Sequence, residues 1–137
     1  MGCTAVHWKE PDEELDRLAH DVVDAAITVH RELGPGFLES VYEEALCVEL
    51  KMRGMEFVRQ LPVPVLYKDH EVGEGRLDLL VEDVLVVEVK AVESLAPVHS
   101  AQVISYLKAT RHQLGLLINF NTPLLKDGLK RIIFSHS

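Results

Sequence analysis

The chain has little cysteine, few aromatic residues and no long hydrophobic run. Only two of its 137 residues are cysteines, Cys3 and Cys47, which is too few for a disulfide framework or a zinc-binding spacing. Cys47 falls within an apolar helical pattern and is interpreted as a small core residue. The apolar runs, at 84–87 and 114–118, are far shorter than the roughly 20 residues that a membrane helix needs. We therefore expect a protein without a membrane segment.

The first residues carry no basic stretch followed by an apolar one, so they do not resemble a secretion signal. Val6 also occupies the position at which a myristoylation motif requires serine or threonine. These features favour a soluble, cytoplasmic protein.

Basic residues are also scarce, since 14 lysines and arginines stand against 22 acidic residues and give a net charge of −8. Most proteins that grip duplex DNA through its phosphates are basic, so strong non-specific DNA binding is not expected. A nucleic-acid enzyme whose carboxylates hold cations is not excluded, because a bound metal reverses the local charge. The apolar fraction, 47%, suffices for the core of one domain.

Two helices are predicted before any strand. After Asp12, apolar residues recur at intervals of three and four up to Leu33, where Gly34 and Pro35 end the pattern. A second pattern of the same period runs from Phe37 to residues 53–54. Residues 12–137 are therefore expected to form a single domain after a flexible tail at residues 1–11.

Five strands and one more helix follow. Residues 57–67 alternate and contain two prolines, as in an edge strand, while 71–81 and the nearly continuous apolar run 84–91 complete an antiparallel meander. A helix is predicted over 98–110, and strands over 114–120 and 131–134. The fold class is α/β, with a mixed sheet flanked by helices.

Side chains that could carry chemistry cluster in the meander. Alternation places Glu88 and Lys90 on one face of their strand, and a turn near residue 83 brings Asp78 opposite residue 87 or 88, about 5 Å away. Two carboxylates at that distance repel each other, and the usual remedies are protonation of one or a divalent cation between them. Hard oxygen ligands favour Mg²⁺ or Mn²⁺. A Glu/Lys pair at a fraying strand end is the structural alternative.

The predicted helices carry further polar groups. Gln102 and Tyr106 are four residues apart and share a helix face, where they could position a water or a phosphate, or simply form the polar side of the helix. Glu39 and Glu43 have the same spacing around Tyr42, and acidic residues early in a helix can merely favour its dipole. The residues alone leave these alternatives open.

The order Asp78, Glu88-Val89-Lys90 and a helical Gln102 resembles the signature of the PD-(D/E)XK nuclease superfamily. Residues 102–106 also resemble the QxxxY motif of its exonuclease-like branch, and residues 36–42 match the GxxExxY motif of a family of small bacterial and archaeal proteins placed in the superfamily. Leu77 stands where the commoner acidic motif has proline. The resemblance covers roughly residues 15–134 and implies a restriction-endonuclease-like core.

Roles follow from this resemblance residue by residue. Catalytic roles would fall to Asp78, Glu88, Lys90, Gln102 and Glu39. Metal ligands would be Asp78, Glu88, the Val89 carbonyl and Glu39. Lys90 would activate water or stabilise charge, and Gln102 would position water or phosphate. Glu43 competes with Glu39 as the carboxylate that the second helix contributes to the site. Tyr106 is a further candidate site residue. Tyr42 is expected either to belong to the site or only to pack.

The expected activity is metal-dependent hydrolysis of DNA or RNA phosphodiester bonds with Mg²⁺ or Mn²⁺. One alternative is an inactive nuclease-fold module that binds a nucleic-acid or protein partner, motivated by the net charge and small size. A weaker alternative is hydrolysis of a small phosphorylated metabolite. A homodimer is also considered, because so small a domain presents little surface to a duplex.

Overall fold

A computed structural model describes residues 11–136. Residues 1–10 of the predicted tail lie outside the described residues, so the domain boundary proposed near residue 11 stays a prediction. No helix in the described range is both long and apolar enough to cross a membrane.

Three α-helices form where the apolar periodicity places them. They are α1 (Glu13–Leu33), α2 (Glu39–Met52) and α3 (Pro97–Thr110). The Asp12 side chain accepts a hydrogen bond from the backbone of Leu15 and caps α1. At the other end of α1, Gly34 has a positive φ of 69°, a conformation that glycine adopts at little cost.

Five strands form one mixed sheet in the order β1-β2-β3-β4-β5. Their bounds are Phe57–Tyr67, His70–Val81, Leu85–Lys90, Leu114–Asn119 and Leu129–Ile133. Strands β1, β2 and β3 pair antiparallel, β3 and β4 pair parallel across α3, and β4 and β5 pair antiparallel. The predicted meander, edge strand and α/β class are confirmed.

The two faces of the sheet bury different helices. Leu85, Val87 and Val89 of β3 pack into a cluster with α1 and α2. Val86 faces the other way, into a smaller cluster with α3. The sheet therefore lies between α1 and α2 on one face and α3 on the other, and the predicted alternation of β3 is confirmed. Cys47 is buried in the larger cluster, as expected of a core residue.

The last strand begins two residues earlier than predicted and follows a short 3₁₀ helix, Leu125–Gly128, that was not predicted. At Gly128 the chain passes very close to the end of β4. A Cβ built on Gly128 would lie only 2.2 Å from the Asn119 carbonyl oxygen. This contact joins residues distant in sequence, so the local pattern gave no sign of it.

Tyr42 is fully buried, and its contacts are structural. Its ring stacks on Phe120 with centroids 4.8 Å apart. Its hydroxyl donates to the Gly34 carbonyl at 2.5 Å and accepts from the Phe37 backbone N–H at 3.1 Å. Tyr42 thus fixes the turn between α1 and α2, which is the packing role that the sequence offered as one of two alternatives.

Removing this hydroxyl is expected to destabilise the fold without changing its shape. In Tyr42→Phe the ring still stacks, but the turn loses both hydrogen bonds, which should lower the free energy of unfolding by about 1–3 kcal/mol. Urea denaturation followed by circular dichroism measures the loss. The exposed Tyr67, replaced by phenylalanine, is the matched control, and an equal effect in both variants would contradict the role given to Tyr42.

Candidate active site

The β2–β3 ladder ends beside two carboxylates. The last paired residues are Leu79 and Val87. Beyond them the Asp78 backbone N–H donates to Glu88 Oε1, and the Val89 N–H donates to Asp78 Oδ2, each at 2.8 Å. Side-chain oxygens thus take the place of ladder carbonyls where the strands separate. The predicted juxtaposition of Asp78 and Glu88 is confirmed.

Both carboxyl groups are buried, and both hold their protons unusually firmly. Burial raises the pKa of Asp78 to about 6, against the lowering effect of the Val89 hydrogen bond. Burial and the negative charge of Asp78 raise the pKa of Glu88 to about 8. Desolvation and like-charge repulsion both disfavour a second negative charge here. The pair therefore carries an electrostatic cost that a cation would relieve.

A short chain of polar contacts runs from the end of β3 into α3. The Lys90 ammonium donates to Gln102 Oε1 at 3.3 Å, and Gln102 Nε2 donates to the Tyr106 hydroxyl at 3.4 Å. Burial, followed by the charge of Glu88, raises the pKa of Tyr106. The predicted neighbours on α3 are in contact, and the structure brings them to the same strand end as the carboxylates.

The two glutamates considered on α2 have different surroundings. Glu43 is buried, and its Oε2 forms an ion pair with Arg59 at 3.1 Å. Glu39 is exposed and has no hydrogen bond or ion pair within residues 11–136. Its charge nevertheless contributes to the raised pKa of both Asp78 and Glu88. Glu39 therefore lies close enough for its charge to act on the carboxylate pair and has its oxygens unengaged, whereas Glu43 is held by the Arg59 guanidinium from β1.

Gln60 is the site residue that sequence reasoning missed. Its Nε2 lies 3.0 and 3.1 Å from the two oxygens of Glu43 and 3.3 Å from Asp78 Oδ1, so it joins α2 to β2. The backbone at Gln60 has a φ of 52°, and the β1–β2 register has no pair at this position. Such a φ is uncommon for residues other than glycine and marks a local distortion of the strand. No periodic pattern signals a conformation of this kind.

The donor set suits a hard divalent cation, although the side chains do not enclose one as they stand. In the described part of the chain, no group of three or more His, Cys, Asp or Glu residues is arranged to hold a metal ion. Asp78 and Glu88 supply two adjacent carboxyl groups whose charge Lys90 offsets only in part, and Glu88 Oε2 has no hydrogen bond from any described residue. Carboxylate oxygens are the ligands that Mg²⁺ and Mn²⁺ prefer. The residues therefore fit such an ion.

Comparison with known proteins adds one finding. The family model of the PD-(D/E)XK nuclease superfamily matches residues 16–132, a range that includes every candidate site residue described above. No curated protein and no solved structure matches the chain.

Proposed function

The chain belongs to the PD-(D/E)XK nuclease superfamily, and we propose that it is a metal-dependent nuclease that hydrolyses phosphodiester bonds of DNA or RNA. Membership of the superfamily supports a nuclease-type function in general. The observation that carries the finer proposal is the buried Asp78–Glu88 pair beside Lys90 at the open end of the β2–β3 ladder.

Four groups are proposed to hold Mg²⁺ or Mn²⁺: Asp78, Glu88, the Val89 carbonyl and Glu39. The first two are already adjacent, and Glu39 is exposed with unengaged oxygens on the neighbouring helix. A bound divalent ion would supply Lewis acidity and lower the pKa of a coordinated water. It would also compensate the charge that burial makes unfavourable at the carboxylate pair.

The other polar side chains act on the substrate or on the attacking water. The Lys90 ammonium is a donor that would stabilise negative charge developing on the phosphate oxygens. Gln102 accepts from Lys90 and so fixes where that ammonium points. The Tyr106 hydroxyl, held by Gln102 Nε2, limits how Gln102 can turn. Through these contacts α3 positions Lys90 toward the carboxylates.

Gln60 and Glu43 are proposed as positioning residues. Gln60 Nε2 contacts both Glu43 and Asp78, and Glu43 is anchored in turn by Arg59. A buried carboxylate with several donors is held in one orientation more firmly than a solvated one. This arrangement sets the orientation of Asp78 relative to α2, the helix that carries Glu39.

Cleavage assays on single- and double-stranded DNA and RNA test the proposal. The full chain should cut at least one substrate with Mg²⁺ or Mn²⁺ and none with EDTA. Asp78→Asn should lower the rate roughly a hundredfold or more, because it removes a charged ligand and nearly preserves the shape.

Asp83→Asn is the matched control for this experiment. Asp83 is an exposed turn residue with a φ of 61°, and asparagine tolerates that conformation well. The control should cut at the unsubstituted rate. Absence of cleavage with either metal on every substrate would overturn the nuclease proposal and favour the nuclease-fold module that binds nucleic acid or protein without hydrolysis.

A further inference from the structure

Helix α2 has a second apolar side that the described elements cover only in part. Its inward side buries Tyr42, Leu46 and Leu50. Exposed apolar residues on the outward side include Leu38 at 74%, Val48 at 51% and Met52 at 76% of their full accessibility. The apolar row along this side, which we call the α2 stripe, consists of Leu38 at the N-cap, Val41, Ala45, Val48 and Met52. Its central member, Ala45, is half-buried against the core.

The α2 stripe has the spacing of a helix-pairing seam. Its members are separated by three, four, three and four residues, the alternation that keeps an apolar seam facing a partner helix. An isolated exposed apolar residue needs no explanation, but a contiguous row does. Ala45 and Val48 also line a groove against α1, beside Leu33. The stripe therefore continues into a shallow depression that could receive side chains from another molecule.

The stripe is complementary to itself when reversed. When two copies of α2 run antiparallel, Val41 of one copy lies level with Met52 of the other, and Ala45 lies level with Val48. Both pairs are centred on the same point of the helix, between residues 46 and 47. An interface related by a two-fold axis requires such self-complementarity, since residue i must contact residue j on both sides. A second copy of this chain, packed antiparallel, therefore matches the stripe from Val41 to Met52.

The charges beside the stripe favour the same orientation. Glu44 is exposed near the start of α2, and Lys51 is exposed near its end on the same flank. Lys51 has no ion pair within the part of the chain that the structure describes, and Glu44 contacts only Arg59. In an antiparallel pair Glu44 of each copy lies close to Lys51 of the other. In a parallel pair Glu44 would lie beside Glu49 of the other copy, which is a repulsive contact.

We propose that this chain forms a two-fold symmetric homodimer through antiparallel packing of α2 against α2. The interface uses the outward side of the helix, while Glu39 and Glu43 on α2 belong to the candidate active site. The dimer does not depend on the nuclease activity and is tested separately from it.

Sedimentation velocity of the full chain over a range of concentrations measures the association. The unsubstituted chain should sediment as a dimer. Val48→Glu and Met52→Glu should each raise the dimer dissociation constant by more than about tenfold, because a carboxylate would be buried in an apolar interface. Val72→Glu, at an exposed position on the β1–β2 hairpin, is the matched control and should remain dimeric. Circular dichroism confirms that each variant is folded.

Two charge reversals test the orientation. Glu44→Lys and Lys51→Glu should each weaken the homodimer, and mixing the two variants should restore association, since every cross-copy pair is then attractive. In a parallel dimer Glu44 of each copy would instead lie beside Glu49 of the other, so Glu44→Lys would strengthen association. A chain that is monomeric at all concentrations, a dimer that persists in Val48→Glu and Met52→Glu, or one lost in Val72→Glu would each overturn the proposal.

Discussion

Replacing Lys90 with methionine is expected to reduce nucleic-acid cleavage by roughly a hundredfold to a thousandfold, the effect of losing one preorganised charge-stabilising donor. The substitution removes the ammonium and nearly preserves the length of the side chain. Lys90 extends from the end of β3 beside the carboxylate pair and is fixed by Gln102 at 3.3 Å. Its loss should lower the rate of the chemical step under single-turnover conditions, with less effect on substrate binding.

A metal-binding measurement distinguishes a charge-stabilising role of Lys90 from a purely structural one. Calorimetric titration with Mn²⁺ should show that Lys90→Met binds the ion at least as tightly as the unsubstituted chain, because a competing positive charge is removed. Lys68→Met, on the exposed hairpin turn where the lysine packs over Tyr67, is the matched control and should retain full activity. An equal loss of activity in both variants, or loss of Mn²⁺ binding in Lys90→Met, would contradict the proposed role.

The sequence predicted the carboxylate pair because two short-range rules were sufficient. A strand alternates its faces every residue, so Glu88 and Lys90 had to share one side. The three-residue turn at 82–84, in which Glu82 and Asp83 have positive φ, fixes the register and hence places Asp78 at the level of Glu88. Neither rule needs information from distant parts of the chain.

The neighbours of that pair were less predictable because they depend on how α2 approaches β1. Spacing could not rank Glu39 against Glu43, since both lie in the early turns of one helix. The structure distinguishes them through Arg59, which binds Glu43, and through the distorted backbone at Gln60. Both features require the packing of elements whose relative placement no local pattern encodes.

Part of the acidic composition is concentrated at the candidate active site. Several acidic residues surround one strand end, where burial and, to a smaller extent, the charges of these neighbours raise the pKa values of Asp78 and Glu88. A site of this kind is unfavourable without cations and becomes favourable with them. The net charge of −8, which argued against non-specific DNA binding, is therefore compatible with a site that holds a divalent ion.

The stability of the metal-free chain is expected to fall as the pH rises from about 4 to about 8. The pKa of Glu88 is about 8 in the folded chain against 4.5 for an ordinary glutamate, and that of Asp78 is about 6 against 3.8. At a pH between the unfolded-state pKa and the folded-state pKa of a carboxyl group, the folded chain keeps a proton that the unfolded chain has released. Raising the pH through this range therefore favours unfolding. The contribution of the two protonated carboxyl groups to the free energy of unfolding is complete below about pH 4. It is lost once the pH passes their folded-state pKa values of about 6 and about 8.

Glu88→Gln should remove most of this pH dependence. Glutamine can still accept the hydrogen bond from the Asp78 N–H, but it never carries the charge that burial opposes. The variant should match the unsubstituted chain near pH 4 and exceed it near pH 8 by roughly a few kcal/mol in the free energy of unfolding. Urea denaturation at a series of pH values, with EDTA present, gives this difference directly.

Glu71→Gln, at an exposed hairpin position, is the control. It also removes a carboxylate, but an exposed one, so its free energy of unfolding should follow that of the unsubstituted chain at every pH.

Adding Mg²⁺ or Mn²⁺ at pH 8 should restore stability to the unsubstituted chain and much less to Glu88→Gln, because only an ion that prefers the folded state shifts the equilibrium. A Glu88→Gln curve parallel to that of the unsubstituted chain would show that the pair does not govern the pH response. Since one carboxylate both destabilises the metal-free fold and is proposed to bind the metal, the stabilising substitution should also be the one that abolishes cleavage.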